Sequence, residues 1–368
     1  MLFEKEPIPN IVPFAHAANA LELPDGSIFV VWYCGAYEGA EDQRLAGALR
    51  VGNTWQAAHV VVDHFEFDGE TWTPETAVPI LTPSGEVWLY FFAFPHSRFR
   101  LVQDVRSYYI KPHHAGFDCI PRRMEQPLWC RDLMKTRVFR TRLADFKQTV
   151  VEPVSIPENA PILQGRALHL QDGGWVFPFH CRRGTEMRSA RVSAGFLIGD
   201  ANLENWQMGA EIFAEPGCSE PAIVQLHSGQ VLCYMRRPGL TRTPPPPWGH
   251  IWRAISTDGC RTFSAPTQTN LRNPDTGNDL YLGRGDRLVV AFNDSYTERC
   301  PMTVGISDDL GMTFRSRDVE SGLGAYAYPK LLQTRDGVWH LFYSFNYSHI
   351  AHAWFDAEWL ENGRQLLG

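Results

Sequence analysis

The stretch SDDLGMTF at residues 307–314 has the order Ser-x-Asp-x-Gly-x-Thr-aromatic, and it is too polar to form a strand. The stretch STDGCRTF at residues 256–263 has the same order, except that Cys260 stands where the first stretch has Gly311. In this order Ser and Asp can hydrogen-bond the local backbone, Gly permits a tight turn and the aromatic residue anchors that turn. We therefore interpret both stretches as repeated hairpin turns.

A longer repeat surrounds these two turns. Six segments, such as LPDGSIFVVW and TRDGVWHLFY, combine a polar Gly-containing turn with an apolar strand, which is a hairpin signature. The turn glycines are Gly26, Gly85, Gly173, Gly229, Gly285 and Gly337. Their spacing predicts an all-β fold, a single six-bladed β-propeller over residues 1–368 with four-stranded antiparallel blades. The longest interval indicates an insertion at 95–130 in blade 2, a candidate lid, and a Pro-rich loop is predicted at 237–249 in blade 4.

Composition excludes several classes of function. The formal charge of -7 argues against a nucleic-acid partner. No basic-then-apolar start and no apolar run of membrane length is present, so we expect a cytoplasmic protein without a membrane partner. The eight cysteines lack any CxxC spacing, and we expect buried thiols, no metal site and no cofactor.

The turn order S-x-D-x-G-x-T-[FW], in register with the six hairpins, resembles the Asp box of the sialidase (neuraminidase) superfamily. The resemblance implies a site on the propeller axis, where an arginine triad grips a carboxylate, a glutamate activates a tyrosine nucleophile and an aspartate is the acid/base. By position it implies Tyr326 in GLGAYAYPK as nucleophile and Glu220 in CSEPAIVQL as its base. It implies Arg236, with Arg237 as the alternative, and Arg299 as two of the three arginines.

The position of the first arginine is filled by a different residue. The resemblance places His16, within PFAHAANALELPDG, where the family has that arginine, and a histidine cannot provide a bidentate fork. The acid/base is expected within YEGAEDQ, where we choose Asp42, with Glu41 and Glu38 as alternatives.

Other aromatic and cationic residues are candidates for lining the pocket. Tyr328 lies two residues after Tyr326, and it is also compatible with a packed strand residue. If the insertion covers the axis, its candidates for the pocket are His96, Arg98, Tyr108, His113 and His114.

The leading functional prediction is an exo-acting glycosidase that binds a small-molecule or oligosaccharide ligand with an anionic group. A tyrosine has an ordinary pKa near 10, so it needs a carboxylate within hydrogen-bond reach to attack at neutral pH. Three alternatives remain open: a lyase that uses Tyr and His on a uronate, a propeller of small-molecule biosynthesis that catalyses a cyclisation, isomerisation or cycloaddition, and a non-catalytic binding propeller.

Overall fold

The computed structural model describes residues 1–96, 136–156, 161–183, 191–215, 217–237 and 249–368, and the backbone alone at 100–102, 128–130, 182–183 and 191. Six antiparallel sheets form the blades of a β-propeller, as predicted. Most of the insertion and of the Pro-rich loop, with Arg98, Tyr108, His113 and His114, lies outside the described residues.

The first three blades follow one another along the chain. The first strand, β1 (Phe3–Pro7), does not belong to them and pairs with the last blade. Blade 1 contains β2 (Phe14–Glu22), β3 (Ile28–Gly35), β4 (Arg44–Val51), β5 (Thr54–Trp55) and β6 (His59–Val62). Blade 2 contains β7 (Phe65–Phe67), β8 (Glu70–Leu81), β9 (Val87–Pro95), β12 (Arg137–Ala144) and β13 (Lys147–Pro153), and between its strands β10 (Arg100–Val102) pairs with β11 (Leu128–Cys130). Blade 3 contains β14 (Pro161–Leu163), β15 (Leu168–His169), β16 (Trp175–Arg183), β17 (Arg191–Gly199) and β18 (Trp206–Ile212).

The last three blades include both terminal strands. Blade 4 contains β19 (Ser219–Gln225), β20 (Val231–Arg236), β21 (His250–Ser256) and β22 (Thr267–Arg272). Blade 5 contains β23 (Asp279–Leu282), β24 (Leu288–Asn293), β25 (Met302–Ser307), β26 (Thr313–Glu320) and, on its outer edge, β30 (Arg364–Leu367). Blade 6 contains β27 (Tyr326–Gln333), β28 (Trp339–Phe345), β29 (His349–Phe355) and β1, and it is followed by the short helix α1 (Ala357–Glu361).

The hydrophobic core is divided among the interfaces between successive blades. One buried cluster packs blade 2 against blade 3 through residues such as Phe92 and Phe177, and a second packs blade 6 against blade 1 through Phe342 and Trp32. Similar clusters fill the other four interfaces. Each sheet is therefore buried on both faces by its neighbours, which is why a blade of this composition needs the whole ring.

The two box sequences form the predicted turns. In the second box the carboxylate of Asp309 accepts hydrogen bonds from the backbone N–H of Thr313 (2.8 Å) and from its hydroxyl (2.7 Å), while Ser307 Oγ accepts from the N–H of Gly311 (2.8 Å). Phe314 anchors the turn with 1% of its surface exposed. In the first box Cys260 adopts the left-handed φ of 68° that the second box assigns to glycine.

The inner strands of three blades carry the same irregularity near the axis. Pairing with the second strand shifts after His16 in β2, after Ser219 in β19 and after Ala327 in β27. The residues that follow these positions are Ala17, Glu220 and Tyr328, with left-handed φ of 51°, 50° and 51°. A bulge of this kind redirects a side chain out of the strand's regular alternation, and it is held by the surrounding structure despite its local strain.

Further sequence expectations concern the cysteines and membrane association. The described cysteines, Cys34, Cys181, Cys218, Cys233, Cys260 and Cys300, are free thiols. Within the described residues no helix has the length and apolar character required to cross a bilayer.

Candidate active site

A tyrosine and a glutamate from opposite sides of blade 5 meet near the propeller axis. The hydroxyl of Tyr328, in β27, donates a 2.7 Å hydrogen bond to Oε1 of Glu220, in β19. Glu220 is 6% exposed, and both residues occupy the bulged position of their inner strands. A buried carboxylate that accepts from a phenol is placed to take the phenol's proton when the oxygen attacks an electrophile.

An arginine holds both members of this pair. Arg236 Nη1 donates to Glu220 Oε1 at 2.6 Å and to the Tyr328 hydroxyl at 3.1 Å. On its other side Arg236 Nε donates to Asp275 Oδ1 at 2.6 Å. The guanidinium thus bridges two carboxylates, and it fixes the direction from which Glu220 meets the phenol.

The charges of this cluster set the protonation states of its members. Burial alone would raise the pKa of Glu220. The charges of Arg236 and His180, together with hydrogen bonds, outweigh the effect of burial, so the pKa of Glu220 is lowered. Burial, reinforced by the charge of Glu220, raises the pKa of Tyr328. At neutral pH the pair is therefore a neutral phenol hydrogen-bonded to an ionised carboxylate, which is the ground state a base-activated nucleophile requires.

A glycine allows the pair to come together. A Cβ at Gly277 would lie 2.9 Å from Cδ1 of Tyr328 and 3.2 Å from Oε2 of Glu220, closer than carbon and oxygen atoms pack. The loop before β23 therefore covers one face of the tyrosine ring, and it leaves no space for a larger residue.

His16 lies on another face of the same tyrosine. Its ring is perpendicular to the ring of Tyr328 with centroids 4.6 Å apart, and its Nδ1 shares a 2.8 Å hydrogen bond with Ser344 Oγ. The ring of Tyr347 is also 4.6 Å from His16, and the Tyr347 hydroxyl accepts a 2.6 Å hydrogen bond from Nη1 of Arg299. His16 and Tyr347 thus connect Arg299 to the nucleophile candidate through packed aromatic rings.

Arg299 is a buried cation with a neutral partner. It is 3% exposed, and in the described part of the chain no carboxylate lies within ion-pair distance of it. Its Nε is buried and has no acceptor among the described residues. Since a buried charge is stable only when it is compensated, Arg299 is suited to bind an anionic group of a ligand.

Beneath the site a buried ion cluster ties the inner strands together. The carboxylate of Asp279 contacts Arg166 Nη2 at 2.9 Å and Lys330 Nζ at 3.5 Å, and it accepts a 2.8 Å hydrogen bond from the N–H of Leu331. Burial lowers the pKa of Lys330, and the charge of Glu220 opposes that shift. This cluster joins blades 3, 5 and 6 close enough to Glu220 for its charge to act on Lys330.

Comparison with known proteins agrees with this architecture. The model of the BNR repeat-like domain matches residues 26–341, which is most of the chain. The chain belongs to the BNR repeat-like family. Among curated proteins, none matches this BNR repeat-like protein in sequence.

Solved structures share its fold at low sequence identity. The intramolecular trans-sialidase from Ruminococcus gnavus, in complex with oseltamivir carboxylate, has a TM-score of 0.70 and 14% identity over 96% of each chain. The Hadza microbial sialidase Hz136 has a TM-score of 0.71 and 14% identity over 94% of this chain and 66% of its own. A protein of unknown function from Dyadobacter fermentans has a TM-score of 0.70 and 13% identity over 95% and 97%. This BNR repeat-like protein therefore has the sialidase-like propeller fold.

Tyr326 and Arg237 were predicted for roles that the structure places at Tyr328 and Arg236, which contact Glu220. The Tyr326 hydroxyl donates to the backbone oxygen of Gly322 at 3.1 Å, and its ring packs on Phe345 in the interface between blades 5 and 6. Arg237 points to the opposite face of its strand from Arg236, where Nη2 donates to the Glu215 carbonyl and the guanidinium covers Trp252. The BNR repeat-like protein thus pairs Tyr328, not Tyr326, with Glu220, and Arg236, not Arg237, with both.

The three acidic candidates of blade 1 and His96 lie in different environments. Asp42 is exposed, and its Oδ1 accepts a 3.0 Å hydrogen bond from the N–H of Ala36, so it caps a turn, while Glu41 is exposed as well. Glu38 is half-buried, and its charge contributes to the raised pKa of Tyr328. His96 Nε2 lies 2.7 Å from Thr73 Oγ1 in blade 2. Among the three acids, Glu38 is the one electrostatically coupled to the nucleophile candidate.

Sequence reasoning missed several residues of the site. These are Asp275, Gly277, His180, Tyr347 and Ser344. The segment NPDTGND at 273–279 contains Pro, Asp and Gly, and it has the composition of an ordinary turn. That composition indicated a loop but not its contact with Arg236 and Tyr328.

Proposed function

We propose that the protein is an exo-acting glycosidase that cleaves an acidic sugar, a uronate or a sialic-like sugar, with Tyr328 as nucleophile. The observation that carries the proposal is the 2.7 Å hydrogen bond from the Tyr328 hydroxyl to a buried, ionised Glu220. The proposal replaces Tyr326 by Tyr328 in this role, because the Tyr326 hydroxyl is bound to a backbone carbonyl.

The reaction has two steps. Tyr328 Oη attacks the anomeric carbon while its proton passes to Glu220, and the glycosidic oxygen leaves with a proton supplied by an acid. Water then attacks the same carbon and passes a proton to the carboxylate of the acid, which regenerates it. At the same time the bond to Tyr328 breaks, and the phenolate regains its proton from Glu220. We assign the acid to Glu38 rather than Asp42, because Glu38 is coupled to Tyr328 and Asp42 caps a turn.

Anionic substrates fit the charge of Arg299. Its buried guanidinium has a neutral hydroxyl partner and an unpaired Nε, so a carboxylate on the sugar would compensate it. Two packed rings, those of Tyr347 and His16, lie between Arg299 and Tyr328, which supports an anion-binding role for Arg299 near the nucleophile.

The test is a pair of matched tyrosine variants assayed on a panel of 4-methylumbelliferyl glycosides, glycuronides and sialosides. Tyr328→Phe is expected to lose activity by about a thousandfold, within the usual range for removal of a catalytic group, and Tyr326→Phe to retain it. A 2-fluoro glycosyl fluoride that forms a covalent adduct on the Tyr328 peptide, seen by mass spectrometry, would identify the nucleophile. Wild-type activity in Tyr328→Phe would refute the proposal.

A lyase is the second candidate, and the contact of His16 with Tyr328 favours it. In that reaction a base removes the proton next to the uronate carboxylate and the leaving group departs from the adjacent carbon, so that a double bond forms. The unsaturated uronate absorbs ultraviolet light, whereas a hydrolysed uronate does not. Product absorbance on uronate oligosaccharides therefore separates the two reactions.

A further inference from the structure

The donors of Arg236 are largely occupied by the protein itself. A guanidinium has five N–H groups, one on Nε and two on each Nη. Nε donates to Asp275, and Nη1 donates to both Glu220 and the Tyr328 hydroxyl. Among the described residues no acceptor lies on Nη2, so two of the five donors are available to a ligand.

Those two donors do not make a fork. A carboxylate is bound in bidentate fashion by two parallel N–H groups on one edge, either Nε with Nη2 or Nη1 with Nη2. Asp275 occupies the first edge at Nε, while Glu220 and Tyr328 occupy the second edge at Nη1. A substrate carboxylate would have to displace one of these groups in order to be held at two points by Arg236.

Asp275 is held in place by its own loop. The side chain of Asn273 accepts from the N–H of Thr276 at 3.1 Å and donates to the Thr276 carbonyl at 2.9 Å, so it clamps the turn. Asp275 adopts a left-handed φ of 61° between these two residues. Its side chain is 31% exposed and that of Arg236 is 11% exposed, so the carboxylate covers the guanidinium from the more open side.

The position of Arg236 determines which substrate carboxylate it would meet. Its Nη1 is 3.1 Å from the Tyr328 hydroxyl, so a carboxylate attached to the attacked carbon would lie against it. A uronate carries its carboxylate across the ring oxygen from that carbon. Such a group is farther from Tyr328, and the buried Arg299, which has no carboxylate partner among the described residues, would compensate its charge.

We infer that Asp275 is a specificity-determining residue, which closes Arg236 to a carboxylate on the reacting carbon and so selects uronates over sialic-like sugars. The inference rests on the proposed function for its definition of the reacting carbon. It assigns the recognition of the substrate's acid group to Arg299 and leaves Arg236 to hold Glu220 and Tyr328.

The test is equilibrium binding by isothermal titration calorimetry, which needs no turnover. The probes are 2,3-didehydro-2-deoxy-N-acetylneuraminate, with its carboxylate on the carbon that corresponds to the reacting one, and a set of free uronates. Asp275→Asn removes the charge, Asp275→Gly removes the side chain, and both residues tolerate the left-handed backbone. Both variants are expected to bind the didehydro-sialate at least about tenfold more tightly than wild type. Asp275→Gly leaves one edge of Arg236 open, and Asp275→Asn leaves there only a neutral amide, which a carboxylate can displace.

The control is Asp308→Asn, which removes an aspartate paired with Arg287 on the exposed surface. Wild type and control are expected to have the same affinities, and uronate affinity is expected to be unchanged in all proteins. Equal didehydro-sialate affinity in wild type and both Asp275 variants, or the absence of uronate binding, would overturn the inference. Because the titration needs no turnover, failure of the nucleophile assignment is recognised separately, from the activity of Tyr328→Phe.

Discussion

Glu220 and Tyr328 occupy the same bulged position of the inner strands of blades 4 and 6, and this shared position brings their side chains into contact. Each residue follows the last regular pair of its strand, and each has a left-handed φ close to 50°. In blade 1 the equivalent residue is Ala17, next to His16. The backbone bulges thus set the geometry of the pair. We expect substitutions that crowd the residues at these bulges to disturb it.

Gly277→Ala is expected to reduce kcat strongly while the protein remains folded. The added Cβ would lie within 2.9 Å of the Tyr328 ring and would displace it from Glu220, at a cost of about 1–3 kcal/mol in stability. Gly322→Ala is the matched control, since its Cβ would meet Tyr326 at an ordinary 3.7 Å. Steady-state kinetics and urea unfolding measure both effects, and unchanged kcat in Gly277→Ala would contradict the packing argument.

The acidic limb of the pH–activity profile should depend on Arg236. Because the pKa of Glu220 is lowered from its ordinary 4.5, the base stays ionised and active down to below that pH. Arg236→Met removes the main charge that opposes burial, so the pKa of Glu220 rises and the limb moves to higher pH. Arg237→Met, on the other face of the strand, should leave the limb where it is. An unshifted limb in Arg236→Met would exclude Glu220 as the titrating group.

Asp279→Asn should be among the most destabilising single substitutions in the chain. It leaves the buried Lys330 and the half-buried Arg166 without this counter-charge, and loss of one partner of a buried ion cluster costs about 3–5 kcal/mol. Asp308→Asn weakens two pairs of an exposed carboxylate, with Arg287 and Arg315, and should cost no more than about 1 kcal/mol for each. Urea unfolding of the two variants gives the comparison, and similar costs would show that the cluster is not desolvated.

Asp309→Ala tests whether the box turn is structural. The carboxylate accepts four hydrogen bonds, from Ser307, Met312 and the backbone and hydroxyl of Thr313, and we expect a loss of about 1–2 kcal/mol with unchanged kcat. Hydrogen bonds from Thr313 lower the pKa of Asp309 to about 2, so its contribution is complete above its ordinary pKa of 3.8 and disappears as pH falls through 2. Reduced kcat at full folding would instead connect the turn to the site.

Two buried histidines should make stability depend on pH. His340 Nδ1 lies 2.9 Å from His352 Nε2, with Glu6, Arg50 and Asp336 nearby, and burial lowers the pKa values to about 3 and about 4. The unfolded chain binds these protons below about pH 6.5, so the free energy of unfolding should decrease from pH 6.5 towards pH 4.

Urea unfolding at several pH values measures this slope, which is at most about 1.4 kcal/mol per pH unit for each histidine. His352→Gln should flatten it, whereas His227→Gln, at a side chain that is 79% exposed, should not. A slope that survives in His352→Gln would have to come from other groups.

The fold was predictable from sequence because the turns that separate its strands are formed by residues close together in the chain. The six turn glycines all adopt positive φ, between 71° and 95°, and the box residues hydrogen-bond within a few positions of one another. Such features depend on neighbouring residues, and a spacing pattern is enough to detect them.

The identity of the tyrosine was not predictable in the same way. Tyr326 and Tyr328 are two residues apart, so a regular strand would place both on the same face, and alternation cannot separate them. The bulge between Ala327 and Lys330 determines which tyrosine contacts Glu220. It turns Tyr328 towards Glu220 and leaves Tyr326 in the interface between blades. No residue type at these positions signals the bulge.

The pairing of β1 with β29 affects the order in which the blades can be completed during synthesis. Tyr328 belongs to blade 6, which is completed when β1, at residues 3–7, pairs with β29, at residues 349–355. Some 340 residues separate these partners, and loops of that length close slowly. A ribosome-bound chain can therefore build most of its blades early, but blade 6, which contains Tyr328, is completed only after β29 has been synthesised.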